Sequence, residues 1–195
     1  MENLIQKAIA AAIEAHQGEV RKGDGKTPYV LHPIEVGIVA SYYTDNPVLI
    51  SACILHDTVE HGKLTIEKIK EDFGEEAAGL VVLLTEDKNI EVWEDRKIAA
   101  INGLEGNSAA LLIKTADALC NMRDLFRTIR TEGSSAWDNF NMPKNVKLAY
   151  FQLVFERAKN ILPPHMIEQY ISAMKDLEYV DLLPGKESEI GFSTQ

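Results

Sequence analysis

Cysteine is scarce in this chain, and long hydrophobic runs are missing. Two cysteines occur in 195 residues, Cys53 and Cys120, and they show neither the C-x-x-C spacing nor the spacing of a zinc ribbon. Each lies in an apolar helical pattern, so we expect two reduced thiols in the core. No window comes near the ~18 uninterrupted apolar residues that a transmembrane helix needs, and we therefore expect no membrane partner.

The sequence also has little strand alternation and no glycine-rich phosphate loop after a strand. Acidic residues interrupt the apolar spacing of the first segment, which argues against a signal peptide and predicts the cytoplasm as the compartment. Acidic residues outnumber basic ones and give a net charge of −10. This charge disfavours binding to a nucleic-acid polymer. It still allows a small anionic substrate, provided that a local positive site or a metal ion holds it.

Nearly every segment has the apolar period of a helix. Asn46 before Pro47 predicts the start of a helix that continues through Glu60, Thr65 predicts the N-cap of the next, and Gly74 predicts its end. The sequence thus predicts an all-α bundle of about eight to ten helices. We expect it to cover residues 1–180 as one domain, with a polar tail over residues 181–195. The oligomeric state stays open, a homo-oligomer included.

The stretch I-L-H-D-T-V-E-H contains four ionisable side chains within six residues: His56, Asp57, Glu60 and His61. Residues three and four apart share one face of a helix, so we expect all four to gather in one patch at the C-terminal end of the helix. Imidazole nitrogens and carboxylate oxygens together suit a divalent transition metal such as Mn, Fe or Zn. Helix ends also carry such residues without a metal, so this stretch alone leaves both interpretations open.

Two further residues favour the metal interpretation. His32 lies in Y-V-L-H-P at the entry to another helix, and Asp117 lies in the apolar pattern L-L-I-K-T-A-D-A-L-C-N-M-R. A carboxylate buried among apolar side chains is costly without a partner, so a metal ion or a buried base should accompany Asp117. Asn121 follows four residues later on the same face.

These motifs, L-H-D-T-V-E-H, H-P-I-E-V and K-T-A-D-A-L-C-N-M-R-D-L, resemble the HD-domain metal-dependent phosphohydrolases. Together with the loop H-Q-G-E-V-R-K-G-D-G-K-T-P-Y-V-L-H-P, they resemble more narrowly the hydrolase domain of the RelA/SpoT alarmone enzymes. The resemblance covers residues 1–160. The length of the chain leads us to expect a stand-alone small hydrolase, similar to the metazoan SpoT homologue, without a synthetase domain. One position departs from the family, because His61 stands where the family has an aspartate after its glutamate.

The resemblance implies manganese-dependent hydrolysis of guanosine 3′,5′-bis(diphosphate), with release of pyrophosphate from the 3′ position, as in the stringent response. It implies a metal site formed by His32, His56, Asp57 and Asp117. It implies that Glu60, here with His61, activates the attacking water. It also implies nucleotide-binding roles for Arg21, Lys22, Asn121 and, by a looser match, Tyr150.

The histidine at position 61 keeps two alternatives open. One is an HD phosphohydrolase that acts on another nucleotide, such as a nucleoside monophosphate or the 2′-phosphate of NADPH. The other is a degenerate module that binds an alarmone without turnover. Outside the site, we expect His16 to be structural, Lys114 to be a surface residue, and the run from Glu86 to Asp95 to be a solvated connection.

Overall fold

The computed structural model of the chain describes residues 3–61, 63–139 and 142–180. The predicted polar tail, residues 181–195, lies outside this described part. Within it the chain forms eight α-helices and one 3-10 helix, and the all-α class is confirmed. The helices are α1 Leu4–Ala15, α2 Leu31–Ser41, α3 Pro47–Leu55, α4 Ile66–Leu84, α5 Trp93–Asn102, α6 Ser108–Glu132, the 3-10 helix Ser134–Asn139, α7 Lys144–Ala158 and α8 Pro164–Tyr179.

Three predicted helix boundaries are confirmed. The side chain of Asn46 accepts a hydrogen bond from the backbone N–H of Val48 at 2.9 Å, and Thr65 accepts one from Lys68 at 3.2 Å. Helix α4 has a break at Gly74, where φ is 90° and ψ is 170°. The two halves of α4 therefore correspond to the two helices predicted on either side of this glycine, which can adopt a positive φ without strain.

The third helix is shorter than predicted. Helix α3 ends at Leu55, and residues 56–61 form turns. The cause is local, because side chains contact the carbonyl groups at the end of the helix. The imidazole Nδ1 of His56 lies 2.7 Å from the carbonyl oxygen of Cys53, and the hydroxyl of Thr58 donates to that of Leu55 at 2.7 Å. Such bonds offer the backbone an alternative to a further helical turn.

Helix α6 is the centre of the bundle. Its residues 110–120 are all buried, and it packs against α2, α3, α4, α7 and α8. A helix that is covered on every side needs partners inside the protein for its polar groups. Two of its buried polar residues, Lys114 and Asp117, therefore mark the place where the bundle holds polar chemistry.

Helix α3 separates two hydrophobic cores. Its residues Leu49, Ala52 and Cys53 join the larger core around α6, whereas Ile54 joins the smaller core with α1 and α4. Gly37 of α2 lies directly against this helix, since a Cβ atom there would be 2.6 Å from Cγ1 of Ile54. This close approach holds α2 beside the turn that follows α3. Among the described helices, none combines the length and hydropathy needed to span a membrane.

Candidate active site

The four predicted metal ligands lie together at the junction of α2, α6 and the turn after α3. Nε2 of His32 is 3.2 Å from Oδ1 of Asp117 and 3.9 Å from Oδ2 of Asp57. Nε2 of His56 is 3.1 Å from Oδ1 of Asp57 and 3.9 Å from Oδ1 of Asp117. Two imidazoles and two carboxylates thus face one another at the distances expected around a small cation.

The hydrogen bonding of His56 suits a metal ligand. A carbonyl oxygen only accepts, so the contact with Cys53 requires a hydrogen on Nδ1, and Nε2 has a lone pair whenever the imidazole is neutral. That Nε2 is buried and has no hydrogen-bond partner in the described structure, although Asp57 lies close by. A backbone carbonyl that orients a histidine in this way is the usual outer support of a metal-binding imidazole. The residues therefore fit a divalent ion.

The electrostatics of the cluster favour a positive charge at the same point. Burial alone would lower the pKa of His56, but the carboxylates of Asp57 and Asp117 outweigh it and raise this pKa to about 9. Burial likewise favours the neutral form of Asp57, yet His56 lowers the pKa of Asp57 overall. A proton on the imidazole thus offsets the two carboxylates, and a bound cation would replace it.

Asp117 is held by a buried lysine that the sequence analysis had placed at the surface. Lys114 is 8% exposed, and its ammonium group donates to Oδ2 of Asp117 at 3.0 Å. Asn121 donates to Oδ1 of the same carboxylate at 2.5 Å. The expectation for Lys114 was wrong because this part of α6 is covered by other helices, so the lysine lies in the wall of a cavity and not on the outer surface. The buried carboxylate of Asp117 thus has a basic residue, Lys114, as its partner inside the protein.

Tyr29 is a member of the site that the sequence analysis missed. Its hydroxyl donates to Oδ2 of Asp57 at 2.5 Å, and its ring lies 5.9 Å from that of His32. The signal was present, since Tyr29 lies in the T-P-Y motif just before this histidine. The hydrogen bond fixes the orientation of the Asp57 carboxylate.

A cavity of about 230 Å³ opens beside the four residues. Three lysines and two glutamates supply the charged groups of its wall besides the aspartates. Its lining consists of Tyr29, His32, Asp57, Glu60, Glu86, Trp93, Lys97, Lys114, Asp117, Asn121, Lys147, Tyr150 and Phe151. Burial, Glu86 and Asp57 raise the pKa of Glu60, which makes its carboxylate a better proton acceptor than an exposed one.

The start of the segment from Glu86 to Asp95 is not a solvated connection. Glu86 is 8% exposed and forms ion pairs with Arg96 at 3.2 Å and with Lys97. The composition of the run is that of a surface loop, but tertiary packing places its first residue in the cavity wall. Lys97 and Lys147 were also missed as cavity residues, because exposed lysines are common in any helix.

The predicted nucleotide-binding residues fall into two groups. Asn121 and Tyr150 line the cavity, whereas Arg21 and Lys22 are outside its lining. Nη2 of Arg21 donates to Oδ1 of Asn121 at 2.7 Å and to Oδ2 of Asp124 at 3.0 Å. Arg21 therefore lies behind the wall and supports Asn121, while Lys22 is exposed.

The four ionisable residues after α3 do not form the single patch that was expected. Asp57 and Glu60 line the cavity, but His61 lies outside this lining and contacts Glu19 at 2.7 Å. The ring of Tyr29 packs against that of His61 at 4.7 Å. The difference arises because the helix stops at Leu55, so the spacing of a continuous helix does not apply.

Known proteins resemble this chain over most of its length. It matches the HD domain family over residues 8–141. It is 38% identical over 127 residues to the guanosine-3′,5′-bis(diphosphate) 3′-pyrophosphohydrolase MESH1 of Xenopus tropicalis, covering 64% of this chain and 70% of that protein. It is 33% identical over 123 residues to the protein of the same name from Homo sapiens, covering 62% of this chain and 69% of that protein.

A solved structure has a similar fold. It is described as a metazoan ortholog of SpoT that hydrolyzes ppGpp and plays a role in starvation responses. The similarity has a TM-score of 0.74 at 26% identity, and it covers 90% of this chain and 96% of the other. The resemblance that the motifs indicated is therefore confirmed for both sequence and fold.

Proposed function

Because the chain belongs to the HD-domain family, we propose that it hydrolyses guanosine 3′,5′-bis(diphosphate), as ppGpp or pppGpp, and releases the 3′-pyrophosphate. One observation carries the proposal. Two histidines and two aspartates from three segments of the chain meet beside a cavity: His32, His56, Asp57 and Asp117. Each histidine contacts both aspartates at 3.9 Å or less. The relatives that bear this activity in their names resemble the chain across this region.

These four residues would hold the metal ion, and we propose manganese as that ion. The mixed nitrogen and oxygen donors suit manganese, iron or zinc, and an ion of this kind supplies Lewis acidity that lowers the pKa of water and polarises a phosphoryl oxygen. The protein contributes the orientation of the donors. Cys53 orients His56 through its carbonyl oxygen, and Tyr29 orients Asp57.

Glu60 would accept the proton of the attacking water. It lines the cavity next to Asp57, and its raised pKa suits a base that works near neutral pH. The water oxygen would form a bond to the phosphorus that is attached to the ribose 3′ oxygen. The bond between this phosphorus and the 3′ oxygen would break. The ribose 3′ oxygen would take up the proton that Glu60 received from the water, and pyrophosphate would be released. The catalytic role predicted for His61 stays a prediction and is no part of this assignment.

Basic and polar groups of the wall would receive the nucleotide. Lys97 and Lys147 would offset the charge of the phosphates, and Asn121 and Tyr150 would contact the nucleotide from α6 and α7. Arg21 would act through Asn121, to which it is hydrogen-bonded. For Lys22, which is exposed, contact with the substrate stays a prediction, as does the cytoplasmic location.

The test is an assay of pyrophosphate release from ppGpp with manganese, followed alongside phosphate release from nucleoside monophosphates and NADPH. We expect pyrophosphate from ppGpp with the unaltered chain. Glu60→Gln should reduce kcat by about 10²–10⁴-fold, the usual contribution of a general base. Glu67→Gln, which makes the same change on the exposed side of α4, is the matched control and should keep the rate.

Three other outcomes would each count against the proposal. Phosphate from another nucleotide, without pyrophosphate from ppGpp, would favour the alternative phosphohydrolase. Binding of ppGpp without turnover of any substrate would indicate a degenerate binding module. An unchanged kcat in Glu60→Gln would remove Glu60 from its catalytic role.

A further inference from the structure

A second cluster of metal-ligating side chains lies on the other side of Tyr29. It consists of His16, Glu19 and His61, which we call the second cluster. Each residue offers one donor atom, and these atoms lie within 4.8 Å of one another. Oε2 of Glu19 contacts Nδ1 of His16 at 3.0 Å and Nδ1 of His61 at 2.7 Å. One carboxylate oxygen is thus shared by two imidazoles.

Backbone hydrogen bonds hold the three residues in place. The N–H of Glu19 donates to the carbonyl of His16 at 3.1 Å, and its own carbonyl accepts from Tyr29 at 2.9 Å. The N–H of His61 donates to Asp57 at 3.1 Å. The cluster therefore comes from the end of α1, the following loop and the turn after α3. Backbone hydrogen bonds hold these segments without help from the side chains of the cluster.

The two ring nitrogens of His16 differ in their partners, since only Nδ1 contacts Glu19. The side chain of His16 is fully buried, yet its Nε2 has no hydrogen-bond partner within the described structure. When the hydrogen is on Nε2, the Nδ1 lone pair of His16 faces Oε2 of Glu19. The three atoms that face one another, Nδ1 of His16, Nδ1 of His61 and Oε2 of Glu19, are all of types that bind a metal ion.

We propose that His16, Glu19 and His61 form a second divalent-metal site, for which zinc is the best-fitting ion. Two histidines and one carboxylate are a known ligand set of zinc sites that keep a fourth position for water. Zinc bonds of ~2.0–2.1 Å place tetrahedral ligand atoms roughly 3.4 Å apart, so the contacts of 3.0 Å and 2.7 Å with Glu19 would open by about 0.4 and 0.7 Å. The side chains of His61 and Glu19 are 29% and 26% exposed, which allows this shift and leaves room for a water ligand.

The second site is next to the first but shares no ligand with it. Tyr29 stands between them, with its ring 4.8 Å from that of His16 and 4.7 Å from that of His61. Its hydroxyl bonds to Asp57 of the first site. Zinc in the second cluster would fix the two imidazoles that pack on the ring of Tyr29. It would thereby restrain Tyr29, which orients Asp57 in the first site.

The experiment is a count of bound zinc on the full chain. The chain is stripped with a chelator, incubated with zinc, freed of unbound ion by gel filtration and analysed by elemental mass spectrometry. We expect about two ions per chain for the unaltered protein and about one for Glu19→Gln and for His61→Asn, because each removes one donor. Glu14→Gln, which removes a neighbouring exposed charge on α1, is the matched control and should keep both ions.

Cobalt in place of zinc adds a spectroscopic reading. Four-coordinate cobalt absorbs in the visible region. Glu19→Gln should lose the part of this absorption that the second site contributes, and Asp117→Asn, where only the first site is altered, should retain that part. The proposal would be overturned if the unaltered chain bound only one ion, and if that ion were lost in Asp117→Asn and kept in Glu19→Gln. The count requires no turnover, so a failure to hydrolyse ppGpp and a failure to bind the second ion are distinguishable.

Discussion

The buried pair of Lys114 and Asp117 should be the most sensitive point of the metal-free protein. Nζ and Oδ2 are 3.0 Å apart, and with an effective dielectric constant of ~20 two unit charges at this distance attract by about 5 kcal/mol. Asp117→Asn keeps the shape but leaves the ammonium group of Lys114 buried and without its counter-charge. We expect the free energy of unfolding to fall by about 3–5 kcal/mol, the usual cost of breaking a buried pair from one side.

A double-mutant cycle separates the pair from its surroundings. Lys114→Met removes the ammonium group at similar volume and should cost a similar amount, because the carboxylate then loses its base. The double variant should cost about 2 kcal/mol less than the sum of the two single changes, since neither charge is left alone. Unfolding by urea in excess chelator, followed by circular dichroism, measures all four free energies.

An exposed pair at the same spacing is the control. Lys159 and Glu156 are also three residues apart, at the C-terminal end of α7, with Nζ and Oε2 at 2.6 Å, but they are exposed to solvent. Their cycle should show no measurable coupling, since water screens such a pair. If the changes at Lys114 and Asp117 add to within about 0.5 kcal/mol, burial does not strengthen their interaction, and the reasoning fails.

Two further predictions concern the cavity and the packing of α3. Burial, then Arg21 and Lys97, lower the pKa of Lys147 to about 8, so its charge is present below this pH and is lost above it. The affinity of Glu60→Gln for ppGpp, measured by calorimetry between pH 7 and 9, should fall above pH 8, whereas Lys147→Arg should remove this dependence because arginine stays charged. Gly37→Ala should lower the free energy of unfolding in urea by about 1–3 kcal/mol through overpacking, since its Cβ would meet α3 at 2.6 Å. Gly79→Ala, with open space around the Cβ, should raise the free energy of unfolding by up to about 1 kcal/mol. A Gly37→Ala variant more stable than Gly79→Ala would contradict the close approach of α2 and α3.

Much of the fold followed from local patterns. Asn46 and Thr65 cap their helices as predicted, because capping depends on a hydrogen bond between residues two or three positions apart. The end of α3 was not predicted, since His56 and Thr58 compete for its last carbonyl groups. Apolar spacing carries no information about such competition.

Charged residues were the main source of error in the site. Lys114 and Glu86 were expected in solvent, as most lysines and glutamates are, yet both are buried in the cavity wall. Their burial depends on which helices cover them, and those helices come from distant parts of the chain. The same limit applied to His61, whose partner Glu19 lies 42 residues earlier.

The sequence by itself determined the helical class, the positions of most helices and the four residues proposed to hold a metal. These depend on periodicity, on capping and on motifs whose members are read in order along the chain. Only the tertiary structure decided which side chains face one another: that Lys114 neutralises Asp117, that Tyr29 orients Asp57, and that His61 turns away from the cavity toward Glu19. The reason is that contacts between distant segments depend on how helices pack, and helix packing places side chains that no local spacing brings together.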